Sequence, residues 1–173
     1  MTSTLSPRPY TDADAEQLTA LLHSAYAELA GMGLNFTAVN QSIETTRERV
    51  ASGRCWVIES KGTVAASITM AYPPTADIRG LTPEARVDGR AWIGQVAVGP
   101  SLRGNNVARL LFDHACAWAV EQGATSVGLD TALPAAHLRR MYERWGFTPV
   151  DVVHFEGKTY DSSVMVVDIA RAD

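Results

Sequence analysis

The run from Val96 to Val120, VAVGPSLRGNNVARLLFDHACAWAV, passes from an apolar strand through a short glycine-bearing loop straight into an amphipathic helix. A second strand, Ser126 to Asp130, follows at once, so residues 91–130 read as a right-handed parallel crossover unit. In such a unit the N–H groups of the first helical turn are unpaired and point outward, and the peptide dipoles add a partial positive charge. The loop is therefore a cradle for an anion, and a pyrophosphate is the natural occupant.

The remaining elements set the class. Leu18, Leu22, Ala25 and Leu29 recur at helical spacing after Thr11 and Asp12, which predicts a first helix over about 12–30, ended by Gly31 and Gly33. A shorter helix over 42–52 opens at Ser42. Cys55 to Glu59 and Val64 to Met70 then form an antiparallel hairpin around Lys61-Gly62. Residues 73–89 hold Pro73, Pro74, Pro83, Gly80 and Gly89 and read as a surface loop.

Ala91 to Val98 is the next strand, with a helix over about 104–122 capped by Gly123. Pro134 stands where the last helix begins, and Leu138, Met141, Tyr142 and Trp145 stripe it before Gly146. Phe147 to Phe155 and Ser163 to Ile169 close the chain around the turn Glu156-Gly157-Lys158. The expectation is one α/β domain over residues 1–173. It has a mixed, mostly antiparallel sheet, one parallel β-α-β crossover and about four helices.

Composition narrows the partners. With 173 residues, 46% apolar, the chain can bury one sizeable core. Its 15 basic against 19 acidic residues give a net charge of −4, and no block of Lys and Arg forms a nucleic-acid footprint. The N-terminal residues lack an apolar signal core and no stretch approaches a membrane span, so the expectation is a cytoplasmic protein without membrane or nucleic-acid partners. Cys55 and Cys116 lack metal-ligand spacing and read as reduced, packed thiols. Exposed sheet edges leave a homodimer open.

The loop SLRGNNVARLL matches neither the G-x-x-x-x-G-K-[ST] phosphate loop nor the G-x-G-x-x-G dinucleotide fingerprint. Instead, Val96-Ala97-Val98, the run Arg103-Gly104-Asn105-Asn106-Val107-Ala108-Arg109-Leu110-Leu111, and Tyr142-Glu143-Arg144-Trp145-Gly146-Phe147 about 30 residues later resemble the GNAT superfamily of acyl-CoA N-acyltransferases. The element order fits that family from end to end. In the family's loop pattern the resemblance places Arg103 first, Asn106 fourth and Ala108 sixth. Glycine ordinarily stands fourth, and asparagine is the residue that best replaces it in a left-handed backbone.

The resemblance implies acetyl-CoA as acyl donor. Main-chain N–H groups of Arg103, Gly104, Asn105, Asn106, Val107, Ala108 and Arg109 would hold its pyrophosphate, with the two arginines adding charge. Val96, Ala97 and Val98 would bind its pantetheine arm through main-chain atoms on a strand that splays from its parallel neighbour. Tyr142 takes the family's general-acid position, since a phenol with an ordinary pKa near 10 keeps its proton at neutral pH.

Two further family positions differ. Ala135 stands seven residues before the tyrosine in place of asparagine, with His137 either its substitute or an exposed helix residue. Gln95 stands where many relatives carry a glutamate base. Either a base acts through water, sought among Asp130, Glu28 and His154, or the acceptor is weakly basic and needs little help.

The resemblance places acceptor selectivity in the first two helices, their connecting loop Gly31 to Thr37, and the 73–89 loop. Phe36 and Trp92 are either part of that wall or of the core. The expected reaction is direct attack of a primary amine of a small molecule or peptide on the thioester, with no covalent enzyme intermediate and no metal. The alternative is a non-catalytic acyl-CoA-binding sensor or partner module.

Overall fold

In the computed structural model, which describes residues 4–169, the apolar runs form seven strands. They are β1 (Arg8–Pro9), β2 (Arg54–Ser60), β3 (Thr63–Ala71), β4 (Arg90–Val98), β5 (Ser126–Ala132), β6 (Thr148–Val153) and β7 (Ser162–Asp168). The helices are α1 (Ala15–Gly31), α2 (Ile43–Ala51), α3 (Ala76–Leu81), α4 (Val107–Glu121) and α5 (Ala136–Arg144). The strands make one sheet in the order β1-β2-β3-β4-β5-β7-β6, in which only β4 and β5 run parallel. No helix among the described residues is long and apolar enough to cross a membrane.

Strand side chains alternate between the two faces, and both faces are covered. Trp56, Ile58, Ile68 and Met70 pack under Leu111, Phe112, Ala115 and Ala119 of α4 and Tyr142 of α5. Cys55, Val57, Val64 and Ala97 face the other way, onto Leu18 and Leu22 of α1 and Val50 of α2. Burial on both sides explains why β2 and β3 read as nearly continuous apolar runs. The β2–β3 turn carries Lys61 at φ 51° and Gly62 at φ 76°, the left-handed pair that a two-residue hairpin demands. Cys55 and Cys116 are free thiols, and burial pushes Cys55 up to about 11 and Cys116 to about 12.

Three boundaries depart from the sequence reading. The 73–89 segment contains α3 and a 3-10 turn over Pro83–Arg86. Its six helical residues, Ala76 to Leu81, follow the extended Thr75, and so short a helix carries no apolar stripe to read. The crossover helix α4 starts at Val107 and not near 104, because Pro100–Leu102 forms a separate 3-10 turn and Asn106 interrupts the helical dihedrals. Pro134 lies in the turn before α5, which begins at Ala136.

The parallel contact between β4 and β5 is brief. Arg90 lies opposite Ser126, Ala91 opposite Val127, and Trp92 opposite Gly128, after which the two strands share no further register pair. A Cβ on Gly128 would lie 2.3 Å from Cζ3 of the Trp92 ring, so the glycine makes room for the indole at the parting point. Gly128→Ala is expected to lower unfolding free energy by about 1–3 kcal/mol through overpacking. Urea denaturation followed by tryptophan fluorescence would check this, and an unchanged midpoint would mean the indole can move aside freely.

Candidate active site

Beyond the parting of β4 and β5 lies a cleft of about 1140 Å³. One half is built by β4, the loop after it and α4. The other half is built by α1, α2, the Gly31–Thr37 loop and the 73–89 segment.

On the first half, Val96, Ala97, Val98, Arg103, Gly104, Asn106, Val107, Ala108 and Arg109 all line the cleft. Asn105 does not: its side-chain amide folds back to the carbonyls of Leu102 at 3.2 Å and Arg103 at 3.3 Å. Asn106 has φ 59° and ψ 23°, so the asparagine holds the left-handed conformation expected of the missing glycine. The next helical hydrogen bond runs from Leu110 N–H to the Asn106 carbonyl at 3.1 Å. Val107, Ala108 and Arg109 precede it and line the cleft, and their N–H groups are first-turn donors without a partner inside the helix. Arg103 lies 3.8 Å from Glu28 at the exposed rim, whereas Arg109 pairs with Asp113 at 2.8 Å and lies over the Phe112 ring.

Tyr142 reaches the same cleft from α5. Its ring packs edge-on against Trp145 and Phe147 at centroid distances of 5.3 and 5.8 Å, so it belongs to the core and to the cleft at once. Burial raises its phenol well above the ordinary range, and Tyr26 and Asp130 add to the shift. The hydroxyl stays protonated at any ordinary pH. Ala135 is fully buried at the start of α5, and the exposed His137 lines the cleft.

The strand opposite is shaped by a bulge. Gln95 has φ 52°, and one extra residue of β4 lies between the pairs Ser67–Ala97 and Thr69–Gly94. Its side chain is buried and fully engaged. It donates to Thr69 Oγ1 at 3.1 Å and accepts from Gln41 Nε2 at 3.1 Å, while Ser67 Oγ donates to its carbonyl at 2.8 Å. Tyr26, from α1, donates its hydroxyl to the Val96 carbonyl at 2.9 Å, and burial pushes its phenol up to about 12.

Of the three carboxylate or imidazole bases weighed from sequence, Asp130 lies deepest in the cleft. Trp92 Nε1 donates to Asp130 Oδ2 at 2.9 Å. Burial raises the carboxyl above its usual range, only partly offset by that bond and by Arg49. Glu28 sits at the rim beside Arg103, and His154 is exposed, held by Asp161 at 2.9 Å outside the cleft lining.

Trp92 is thus both buried and part of the site. Phe36 is half-buried, tilted against Tyr26 at 5.4 Å and stacked on Tyr160 at 5.0 Å. Tyr26 and Arg49 are functional-side residues that the sequence reading did not single out. Tyr26 was reachable, because it extends the Leu18–Leu22 stripe by one more turn. Arg49 lies on a helix of mixed polarity that gives no such cue.

A model of the GNAT acetyltransferase family matches residues 16–147. The chain belongs to the GNAT acetyltransferase family. It is therefore an acyltransferase enzyme. Solved structures agree on the fold. The ribosomal-protein-S18-alanine N-acetyltransferase from Escherichia coli is 16% identical, covers 98% of this chain and 97% of its own, and superposes with a TM-score of 0.72. An N-acetyltransferase from Staphylococcus aureus is 16% identical over 96% of this chain and 99% of its own, with a TM-score of 0.69. A Salmonella typhimurium protein assigned as an acetyltransferase, solved with its cofactor acetyl-CoA, is 16% identical over 99% and 97%, with a TM-score of 0.70. Among curated proteins, none matches by sequence.

The left-handed Asn106 generates a test of the loop. Asn106→Ala is expected to cost about 1 kcal/mol, the usual penalty for an alanine in that backbone region. Asn106→Gly removes the side-chain strain but adds freedom to the unfolded chain, so its stability should stay within about 0.5 kcal/mol of the parent. Thermal and chemical denaturation of the two variants would check the order, and equal stabilities would show that Asn106 is not held left-handed in solution.

Proposed function

We propose that the protein is an acetyl-CoA-dependent N-acetyltransferase that acts on a primary amine of a small molecule or peptide by direct attack. The observation that carries this reading is the parting of β4 from β5 with Tyr142 beside it. Past Trp92, the main chain of β4 is no longer paired on its β5 side and can hydrogen-bond an extended ligand.

The residues present fit acetyl-CoA. Val96, Ala97 and Val98 offer main-chain groups along the splayed edge, although the Val96 carbonyl already accepts from Tyr26. Val107, Ala108 and Arg109 offer first-turn N–H groups for the pyrophosphate, and Gly104, at φ 79° with nothing within 4 Å of a built Cβ, leaves close approach open. Arg103 and Arg109 add positive charge at the rim. When bound, acetyl-CoA supplies an activated acetyl thioester.

The chain's own contribution is proton handling. Tyr142 Oη keeps its proton and presents it to the leaving sulfur, which departs more easily as a thiol. Asp130 accepts a proton, directly or through water, from the incoming ammonium, a role that its position in the cleft lining supports. Gln95 cannot do so, since an amide does not take up a proton at ordinary pH.

Tyr142→Phe is expected to lower turnover at least tenfold, roughly 1.4 kcal/mol of barrier, with CoA affinity nearly unchanged. Thiol release and calorimetry would measure the two, and undiminished turnover would remove Tyr142 from the mechanism. CoA binding without thiol release over a broad amine panel would favour the non-catalytic sensor. Absence of CoA binding would sink both readings.

Asp130 gives a pH test. Its folded pKa is raised, so the base is lost as pH falls through that raised value, and turnover should show an acid limb there. Asp130→Asn should lose this limb and lower turnover by about tenfold or more. A carboxyl with a raised folded pKa favours folding in its neutral form and costs stability once ionised. The asparagine, which still offers Trp92 an acceptor, should therefore melt no lower than the parent at neutral pH. A pH–rate profile that Asp130→Asn leaves intact would assign the base elsewhere.

A further inference from the structure

The acceptor half of the cleft has an uneven charge arrangement. Arg49 projects from α2 into it, with Nη1 donating to Gln41 Oε1 at 2.7 Å, and it forms no ion pair among the described residues. A guanidinium has five N–H donors in a fixed fork, and Gln41 accounts for one of them. Burial lowers the Arg49 pKa, and the nearby Asp130 and Asp77 offset this only in part.

Lys158 lines the same half. Its ammonium is held by the Asn35 carbonyl at 2.8 Å and Thr37 Oγ1 at 3.0 Å, and burial and Arg49 lower its pKa. Two cations therefore share one wall. Glu48 and Asp77 also line the cleft, but neither is ion-paired with Arg49 or Lys158. Asp130 is the carboxylate at the strand fork, near enough to Arg49 for each to bias the other's ionisation and yet not paired with it. Phe36 stacked on Tyr160 supplies an apolar surface.

Resting on the acyl-transfer reading of this cleft, we infer that the acceptor is an amino acid with an apolar side chain, whose carboxylate is bound by Arg49 and Lys158 while its amine lies toward Asp130. A carboxylate matches the guanidinium fork in two parallel hydrogen bonds and pairs a half-buried cation that has no ion-pair partner among the described residues. A simple amine would bring only its ammonium past Arg49 and Lys158, and that like-charge encounter disfavours it. Gln41 fixes the fork and also bonds Gln95, so the anion site is tied to the bulge of β4.

The experiment compares matched acceptors on the full chain with acetyl-CoA. Leucine and phenylalanine are each assayed beside their amides and their decarboxylated amines, by thiol release and by calorimetry. The amino acids are expected to exceed both analogues in kcat/KM by about tenfold or more, the usual worth of a charge-assisted hydrogen bond. Arg49→Gln should raise the amino-acid KM by a similar factor, leave kcat little changed and shrink the preference toward unity, with Arg49→Lys intermediate. Amides or decarboxylated amines that react as well as the amino acids would overturn the inference without any variant, while acyl transfer stands. Thiol release absent with every amine, but amino acids still bound in preference to their analogues, would overturn acyl transfer and keep the anion site. Neither release nor preferential binding would overturn both.

Discussion

The parallel pair β4 and β5 keeps register for three residues and then separates, and the cleft exists because of that separation. Trp92 is the wedge. Its ring occupies the space above Gly128 that a side chain would fill, and its indole N–H ties Asp130 of the departing strand at 2.9 Å. Three residues further along β4 the bulge at Gln95 changes the direction of the strand. The main chain of Val96 to Val98 without a strand partner on its β5 side, the position of Asp130 and the space beside Tyr142 all follow from those two local features.

Much of the architecture could be read from the chain because it is carried by local patterns. The crossover from Ala91 to Asp130, the Lys61-Gly62 hairpin and the Ser42 start of α2 rest on periodicity, turn chemistry and capping, which act over a few residues. The left-handed state of Asn106 was legible for the same reason: few other residues tolerate it. Arg49, Tyr26 and the Trp92–Asp130 bond were not legible. Their roles depend on which elements the sheet brings together, across sequence separations of 70 residues from Tyr26 to Val96 and 38 from Trp92 to Asp130. The helix inside residues 73–89 escaped because two turns or fewer give no amphipathic repeat.

The two halves of the cleft differ in how their polar groups are satisfied. Near α4 the donors are main-chain groups at a helix start, whose number and direction are fixed by backbone geometry whatever the side chains are. On the α1 and α2 side, recognition relies on side chains held by other side chains: Arg49 by Gln41, Gln41 by Thr46 and Gln95, Gln95 by Thr69. Sequence change would therefore leave the first half's chemistry in place while readily rewriting the second.

Gln95 carries a consequence of its own. The bulge that shapes β4 is fastened by amide and hydroxyl groups, none of which gains or loses a proton over the range a cell meets. A carboxylate at the same point would make the curvature of the strand depend on acidity. With an amide there, the geometry of the fork is constant while Asp130 titrates beside it, so scaffold and proton acceptor respond to the medium independently.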